Sequence, residues 1–235
     1  MWKMDAEAAV TAWTVSMLPP MPAPDSKLRS VEARRGMFTV LYMIAICVGL
    51  THGVGLQVGR ITGAAWWVFL ALIYTMAATA LLCLFGLLCG DPGVVRRSEE
   101  TCFPIPEEVQ CRLKDGASTH EGLSNIVDGD RTYCVRCLVW RNRAEPSGGV
   151  SSLLGTKGCA HAQPHHCRTC NRCVRSFDHH CGVFGRCIAG RGMRGNMKYF
   201  VLIIIMGYGG VFVTFITVAA GLIIRATREG GWDAD

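Results

Sequence analysis

The chain has 235 residues, 50% of them hydrophobic, which is too apolar for an ordinary soluble domain and suits a chain with several membrane spans. Its net charge of +6 fits a protein lying against an anionic leaflet and is too mild to argue for nucleic acid. Thirteen cysteines would suit a secreted disulfide scaffold, but most of them cluster with histidines between long apolar runs, which points to zinc in a reducing compartment.

Residues 1–36 read as a cytosolic N-terminal segment. Trp2 to Leu18 has the make-up of a short helix that touches the membrane surface; Asp5 and Glu7 interrupt it, and no small-residue cleavage site follows, so it is not a secretory signal. Pro19, Pro20, Pro22 and Pro24 come next, then the basic residues Lys27, Arg29, Arg34 and Arg35. Residues 37–58 carry no charged side chain and, at about 1.5 Å per residue, are long enough for a first transmembrane helix. His52 lies near its far end, where an interfacial role is expected. A short connection bearing Arg60 leads to a second uncharged run, 64–89, with Trp66 and Trp67 at its mouth as an aromatic belt. The two runs form a helical hairpin in which Cys47, Cys83 and Cys89 are read as packing residues, with acylation of Cys89, at the membrane edge, as the alternative. Gly90-Asp91-Pro92-Gly93 ends it, since proline cannot continue a helix. Residues 94–133 are polar and of mixed charge and read as a linker with little regular structure; Cys102 and Cys111 have no metal spacing.

The chemistry sits in residues 134–187. Cys134/Cys137, Cys167/Cys170 and Cys170/Cys173 are Cys-x-x-Cys pairs, a spacing that brings two sulfurs to one ion without strain. With Cys159, His161 and His165 set aside, the candidate ligands are Cys134, Cys137, His166, Cys167, Cys170, Cys173, His179, His180, Cys181 and Cys187. Two closed zinc sites take eight of these ten. If the two left over are an imidazole and a thiol, they form a Cys/His pair beside Asp178, the composition of an activated nucleophile. The count alone does not say which pair is spare. Residues 141–164, rich in Gly, Ser and Pro, read as a flexible insertion; long loops cost little extra closure entropy, so both sites can form around it. A third uncharged run, 199–224, follows Arg191, Arg194 and Lys198, and a tail, 225–235, closes the sequence. Positive charge before the first and third runs places the N-terminus and the Cys-rich region in the cytosol.

Cys-x-x-Cys, then His166-Cys167-x-x-Cys170-x-x-Cys173, then Asp178-His179-His180-Cys181, then five residues and Cys187, resembles the signature of the DHHC protein S-acyltransferases. Asp91-Pro92-Gly93 after the second run resembles that family's Asp-Pro-Gly motif, and Asn196 with Phe200 its entry to the third span. The resemblance covers residues 36–224 and implies an α-helical multi-pass membrane protein whose zinc-binding Cys-rich domain, residues 94–198, is cytosolic. It implies that Cys181 is the acylated nucleophile, His179 its base and Asp178 the group that orients the base. It further implies two structural Zn2+ sites, one of Cys134, Cys137, His166 and Cys173 and one of Cys167, Cys170, His180 and Cys187. The expected function is transfer of a long-chain acyl group, palmitoyl above all, from acyl-CoA to cysteines of protein substrates near the membrane, in the Golgi, the endoplasmic reticulum or the plasma membrane, with no nucleic acid as partner.

The sequence departs from the family in three places. Twenty-eight residues separate Cys137 from His166, a longer connection than usual. Gly182-Val183-Phe184 stands where Pro-Trp-Val is most often found, leaving Phe184 as a stand-in for the tryptophan. Three spans are present where the family usually has four, followed by motifs not seen here; a fragment or a shortened member is expected from this. The competing reading is a catalytically inactive membrane zinc scaffold. A membrane ubiquitin ligase with a cross-brace zinc domain is a further alternative whose ligand spacing does not call for Asp-His-His-Cys.

Overall fold

The structure, a computed structural model, describes residues 13–142, 164–190 and 195–230. The readings made of residues 2–12, of residues 143–163 with Cys159 and His161, of Arg191 and Arg194, and of the end of the tail lie outside the described residues. The chain divides into two compact units. One joins the N-terminal segment up to Pro24 with Val94–Arg175; the other joins Asp25–Gly93 with Ser176 onward.

The first unit is built on short antiparallel strands. β1 (Ile126–Asp128), β2 (Arg131–Cys134) and β3 (Val139–Asn142) form one sheet in that order, and β4 (His165–Cys167) pairs with β5 (Arg172–Val174). Residues 94–133 hold more regular structure than the linker expected of them, since besides β1 and part of β2 they contain two short helices, α3 (Glu99–Cys102) and α4 (Glu107–Lys114). The causes are local. Ser98 and Thr101 form a capping box at the start of α3, and α4 carries Glu107 and Glu108 in its first turn and Arg112 and Lys114 in its last, as the helix dipole favours. Cys102 and Val109 are fully buried with Tyr133 and Val139. Tyr133 and Trp140, opposite one another on β2 and β3, meet edge to face at 5.0 Å, and the Trp140 indole donates to the Pro104 carbonyl at 2.7 Å. The N-terminal segment adds Leu18 to this core. It is held by three side chains of the unit: Arg97 donates to the Pro19 carbonyl at 2.6 Å, Arg172 to that of Pro22 at 2.8 Å, and Asn171 to that of Ala23 at 2.6 Å.

The second unit contains three helices long and apolar enough to cross a membrane. The first, α1 (Ser26–Leu50), continues as a π-helical stretch over Thr51–Val58; α2 spans Ala64–Cys89 and α5 spans Met197–Glu229. The helix of α1 begins well before the apolar run at Met37, because the Asp25 carboxylate caps it by accepting from the Leu28 N–H at 2.9 Å. At the other end α5 outlasts its apolar run, extended by an Arg225–Glu229 pair one turn apart. Gly59, which caps the π-helical stretch, packs against α5 at near-backbone distance: a Cβ there would clash with the Gly221 Cα, so only glycine fits. A hairpin, β6 (Phe177–Cys181) with β7 (Arg186–Ala189), completes the unit. Its apolar face joins the helices in one core of Val40, Cys83, Leu84, Leu87, Cys181, Phe184, Ile188 and Ile203.

Candidate acyl-transfer site and metal centres

In the first unit the Cys-x-x-Cys pairs sit where strands reverse. Leu138, the residue after Cys137, adopts a left-handed backbone (φ 56°) and returns its N–H to the Cys134 carbonyl at 2.7 Å. Asn171, the residue after Cys170, also has a left-handed backbone, φ 47°, and the Cys170 N–H points at the Cys167 sulfur, 3.4 Å away. These tight turns, together with the His166↔Cys173 cross-strand pair, collect Cys134, Cys137, His166 and Cys173, whose ligand atoms lie within 4.8 Å of one another, all four residues buried. His166 aims Nδ1 at the sulfurs, 3.2 Å from Cys137, 3.7 Å from Cys134 and 3.9 Å from Cys173. Sulfur at about 2.3 Å and nitrogen at about 2.0 Å around a tetrahedral ion imply separations of about 3.5–3.8 Å, so the donors fit zinc. Their acidities say the same. Hydrogen bonds from Cys137 and Cys173 hold the Cys134 thiol far below its usual range, while Cys173 is driven far above it by Cys134, then Cys137. A bound cation would favour the thiolate form of all three.

The second unit carries the rest of the chemistry on β6–β7. Side chains alternate along a strand, so His179 and Cys181 point to one side and His180 to the other. His180 is paired across the hairpin with Cys187, its Nδ1 3.8 Å from the Cys187 sulfur. His179 instead donates from Nδ1 to Asp178 Oδ2 at 2.7 Å, which leaves Nε2 with the lone pair. The side chains of Asp178 and His179 are 53% and 41% exposed, so this dyad faces solvent, and Phe200 at the start of α5 meets the His179 ring edge-on at 5.5 Å. Cys181 is buried with Phe184 and α1, α2 and α5 residues. Val40, Phe184 and Ile203 of that core also line an apolar cavity of about 210 Å³, together with Ile44, Met76, Ala80 and others. The hairpin is anchored at both ends. Buried Asn196 accepts from the Ala189 N–H and donates to the Cys187 carbonyl, both at 2.8 Å, while its own carbonyl starts α5. Arg186, opposite Cys181, donates to the Gly90 carbonyl, one residue before the Asp91 turn, where Asp91 accepts from the Gly93 N–H at 2.9 Å.

The two halves of the region are built alike. His166-Cys167-Arg168-Thr169-Cys170-Asn171-Arg172-Cys173 and His180-Cys181-Gly182-Val183-Phe184-Gly185-Arg186-Cys187 align without a gap. Their strand partners match: His166↔Cys173 and Cys167↔Arg172 in one, His180↔Cys187 and Cys181↔Arg186 in the other. Gly185, like Asn171, has a left-handed backbone, φ 61°, with its N–H 2.9 Å from the Cys181 carbonyl. Cys181 therefore occupies the place of a knuckle cysteine whose companion, at the position of Cys170, is Phe184. A phenyl ring is no ligand, and this substitution is the local reason for a cysteine outside the ligand sets. The repeat is visible in the sequence once the two octapeptides are laid side by side, a comparison that spacing rules alone do not prompt.

The Cys3His set Cys134/Cys137/His166/Cys173 fits a structural zinc ion by donor chemistry; of the second expected set, Cys167 and Cys170 belong to the first unit and His180 and Cys187 to the second. Cys159 and His161 lie outside the described residues, and Cys89 and Cys111 are exposed. Residues 157–234 match the family model described as DHHC palmitoyltransferase, which supports assignment of the chain to the DHHC-type S-acyltransferases. No curated protein and no solved structure matches the chain.

Proposed function

On the premise that the chain is a DHHC-type S-acyltransferase, we propose that it transfers a long-chain fatty acyl group, palmitoyl foremost, from acyl-CoA to cysteines of membrane-proximal proteins through a thioester on Cys181. The observation that carries this reading is the Asp178–His179 hydrogen bond on the strand that ends at Cys181, with Cys181 itself turned into an apolar core. His179 Nε2 takes the proton of the Cys181 thiol. The sulfur attacks the acyl-CoA carbonyl, the bond from that carbon to the CoA sulfur breaks, and the CoA thiolate leaves with the proton. In the second half a substrate cysteine gives its proton to His179 and attacks the acyl-Cys181 carbonyl, restoring the free thiol. Asp178 holds the imidazole in the tautomer that accepts at Nε2 and stabilises it when charged. The acyl chain lies in the cavity between Val40, Ala80, Phe184 and Ile203, where each buried methylene is worth about 0.8 kcal/mol.

Zinc in the two Cys3His sets, when bound, supplies folding free energy and rigid hairpins. Cys134, Cys137, His166 and Cys173 would hold one ion, and the family resemblance implies that Cys167, Cys170, His180 and Cys187 would hold the other. The basic residues ahead of the first and third apolar helices put the Cys-rich region on the cytosolic side, where acyl-CoA is found.

The test is incubation of purified protein with labelled palmitoyl-CoA. Wild type takes up a hydroxylamine-sensitive label that Cys181→Ser lacks. A wild type that holds both zinc ions and never labels favours the inactive scaffold instead.

A further inference from the structure

Glu32 is an acid on the first apolar helix, buried to 13% side-chain exposure, against a His180 side chain at 14%. Its Oε2 lies 3.1 Å from His180 Nε2. A carboxylate only accepts hydrogen bonds, so Nε2 carries the hydrogen and Nδ1 keeps the lone pair that faces the Cys187 sulfur at 3.8 Å. The second carboxylate oxygen lies over Gly182, 3.3 Å from where a Cβ would stand. Arg29 and Gly36, which with Glu32 follow the i, i+3, i+7 spacing of one helix face, touch the same turn. Arg29 Nε donates to the Gly185 carbonyl at 3.3 Å, and Gly36 admits the Phe184 ring and the Val183 carbonyl, which a Cβ would meet at 2.5 and 2.6 Å. One face of α1 thus touches His180 and each residue of the turn from Gly182 to Gly185.

We propose that Glu32 is a positioning residue for the metal centre: it fixes the tautomer and orientation of His180 so that Nδ1 is the ligating atom, and so ties the first apolar helix to the hairpin that carries Cys181. The proposal rests on the reading of Cys167, Cys170, His180 and Cys187 as one zinc set. Loss of such an outer partner weakens metal affinity by about 10–100-fold. Nothing in the sequence marks Glu32, which is 148 residues from its partner.

The test is zinc content of the purified full chain across a chelator titration. Wild type holds two ions. Glu32→Ala should release one of them at about 10–100-fold lower chelator concentration and keep the other unchanged. Glu32→Gln, whose amide oxygen still accepts from Nε2, should come close to wild type. In a His180→Cys background, which retains a ligand atom but no ring, Glu32→Ala should change nothing further. If the alanine variant is not recovered folded, Glu32→Leu serves in its place, since it keeps the bulk and removes the acceptor. The proposal is overturned if zinc retention is unchanged in Glu32→Ala, if the loss is equally large with His180→Cys, or if Glu32→Gln fails as badly as alanine. A wild type with one zinc refutes the two-ion reading itself, and that result is visible before any variant is compared.

Discussion

The hairpins β4–β5 and β6–β7 share a pattern of eight residues and two cross-strand pairs, yet their cysteines meet different fates. In the first, Cys167 is followed three residues later by Cys170, and the turn between them points an N–H at sulfur, as a metal knuckle does. In the second, Cys181 is followed three residues later by Phe184, and both pack into a core of helix side chains. The histidines diverge as well. His166 is buried with its Nδ1 among three sulfurs, whereas His179, one residue upstream of the equivalent position, is half exposed and bound to a carboxylate. Thus one pattern has two outcomes: the first hairpin lends His166 and Cys173 to a buried set of metal-ligand type, whereas in the second an apolar ring takes a ligand's place and Cys181 lies in an apolar core, as the proposed chemistry asks.

The contrast can be broken from the metal side first. Cys134→Ala or Cys173→Ala removes a ligand of a buried set whose zinc is worth about 10–16 kcal/mol of folding free energy. The expected outcome is loss of zinc and of cooperative unfolding of the Cys-rich region. Retention of both in elemental analysis and calorimetry would show that the set is not structural. Next, His179→Ala should slow acyl labelling of Cys181 by about 10²–10⁴-fold with zinc content unchanged, and Asp178→Asn, which spoils the tautomer, should slow it in the same direction. A His179 variant that loses zinc but labels normally would exchange the roles assigned to the two neighbouring histidines.

The comparison is sharpened by rebuilding the missing knuckle. Phe184→Cys recreates Cys-x-x-Cys around Cys181; labelling should fall by at least about tenfold and bound zinc should exceed two per chain, since paired thiolates at this spacing capture the ion. Wild-type labelling with two zincs would mean that the companion position does not decide the fate of Cys181. The smallest effect is expected at Gly185. Its left-handed backbone and the Arg29 carbonyl, 2.2 Å from a Cβ built there, make Gly185→Ala cost about 1–3 kcal/mol, read as a lower midpoint of thermal unfolding. An unchanged midpoint would show that the turn can open without strain.

Much of this was legible in the sequence. The apolar runs mark the cores of three helices, and the Cys-x-x-Cys spacing marks the turns that gather sulfur. Helix ends were less legible, because hydropathy is blind to the capping carboxylate of Asp25 and to an i,i+4 ion pair such as Arg225–Glu229. The elements between residues 94 and 133 were missed for a different reason: α3 and α4 are four and eight residues long, too short to show a period, and they are held by burial of Cys102 and Val109 against Tyr133 and Val139. Phe200 was legible as a motif position, but not its place against the His179 ring. Glu32 was beyond reach, since a contact between residues far apart in sequence leaves no local pattern.

The central claim is that Cys181 is the one thiol of the repeated hairpins that metal does not hold. The most direct measurement is made on a single sample: purified wild type is loaded from palmitoyl-CoA, its thioester is mapped by peptide mass spectrometry, and its zinc is counted. The account predicts an acyl group on Cys181 with two zinc ions still bound, and two zinc ions in Cys181→Ser. An acyl group on another cysteine, or a zinc lost with Cys181→Ser, contradicts it.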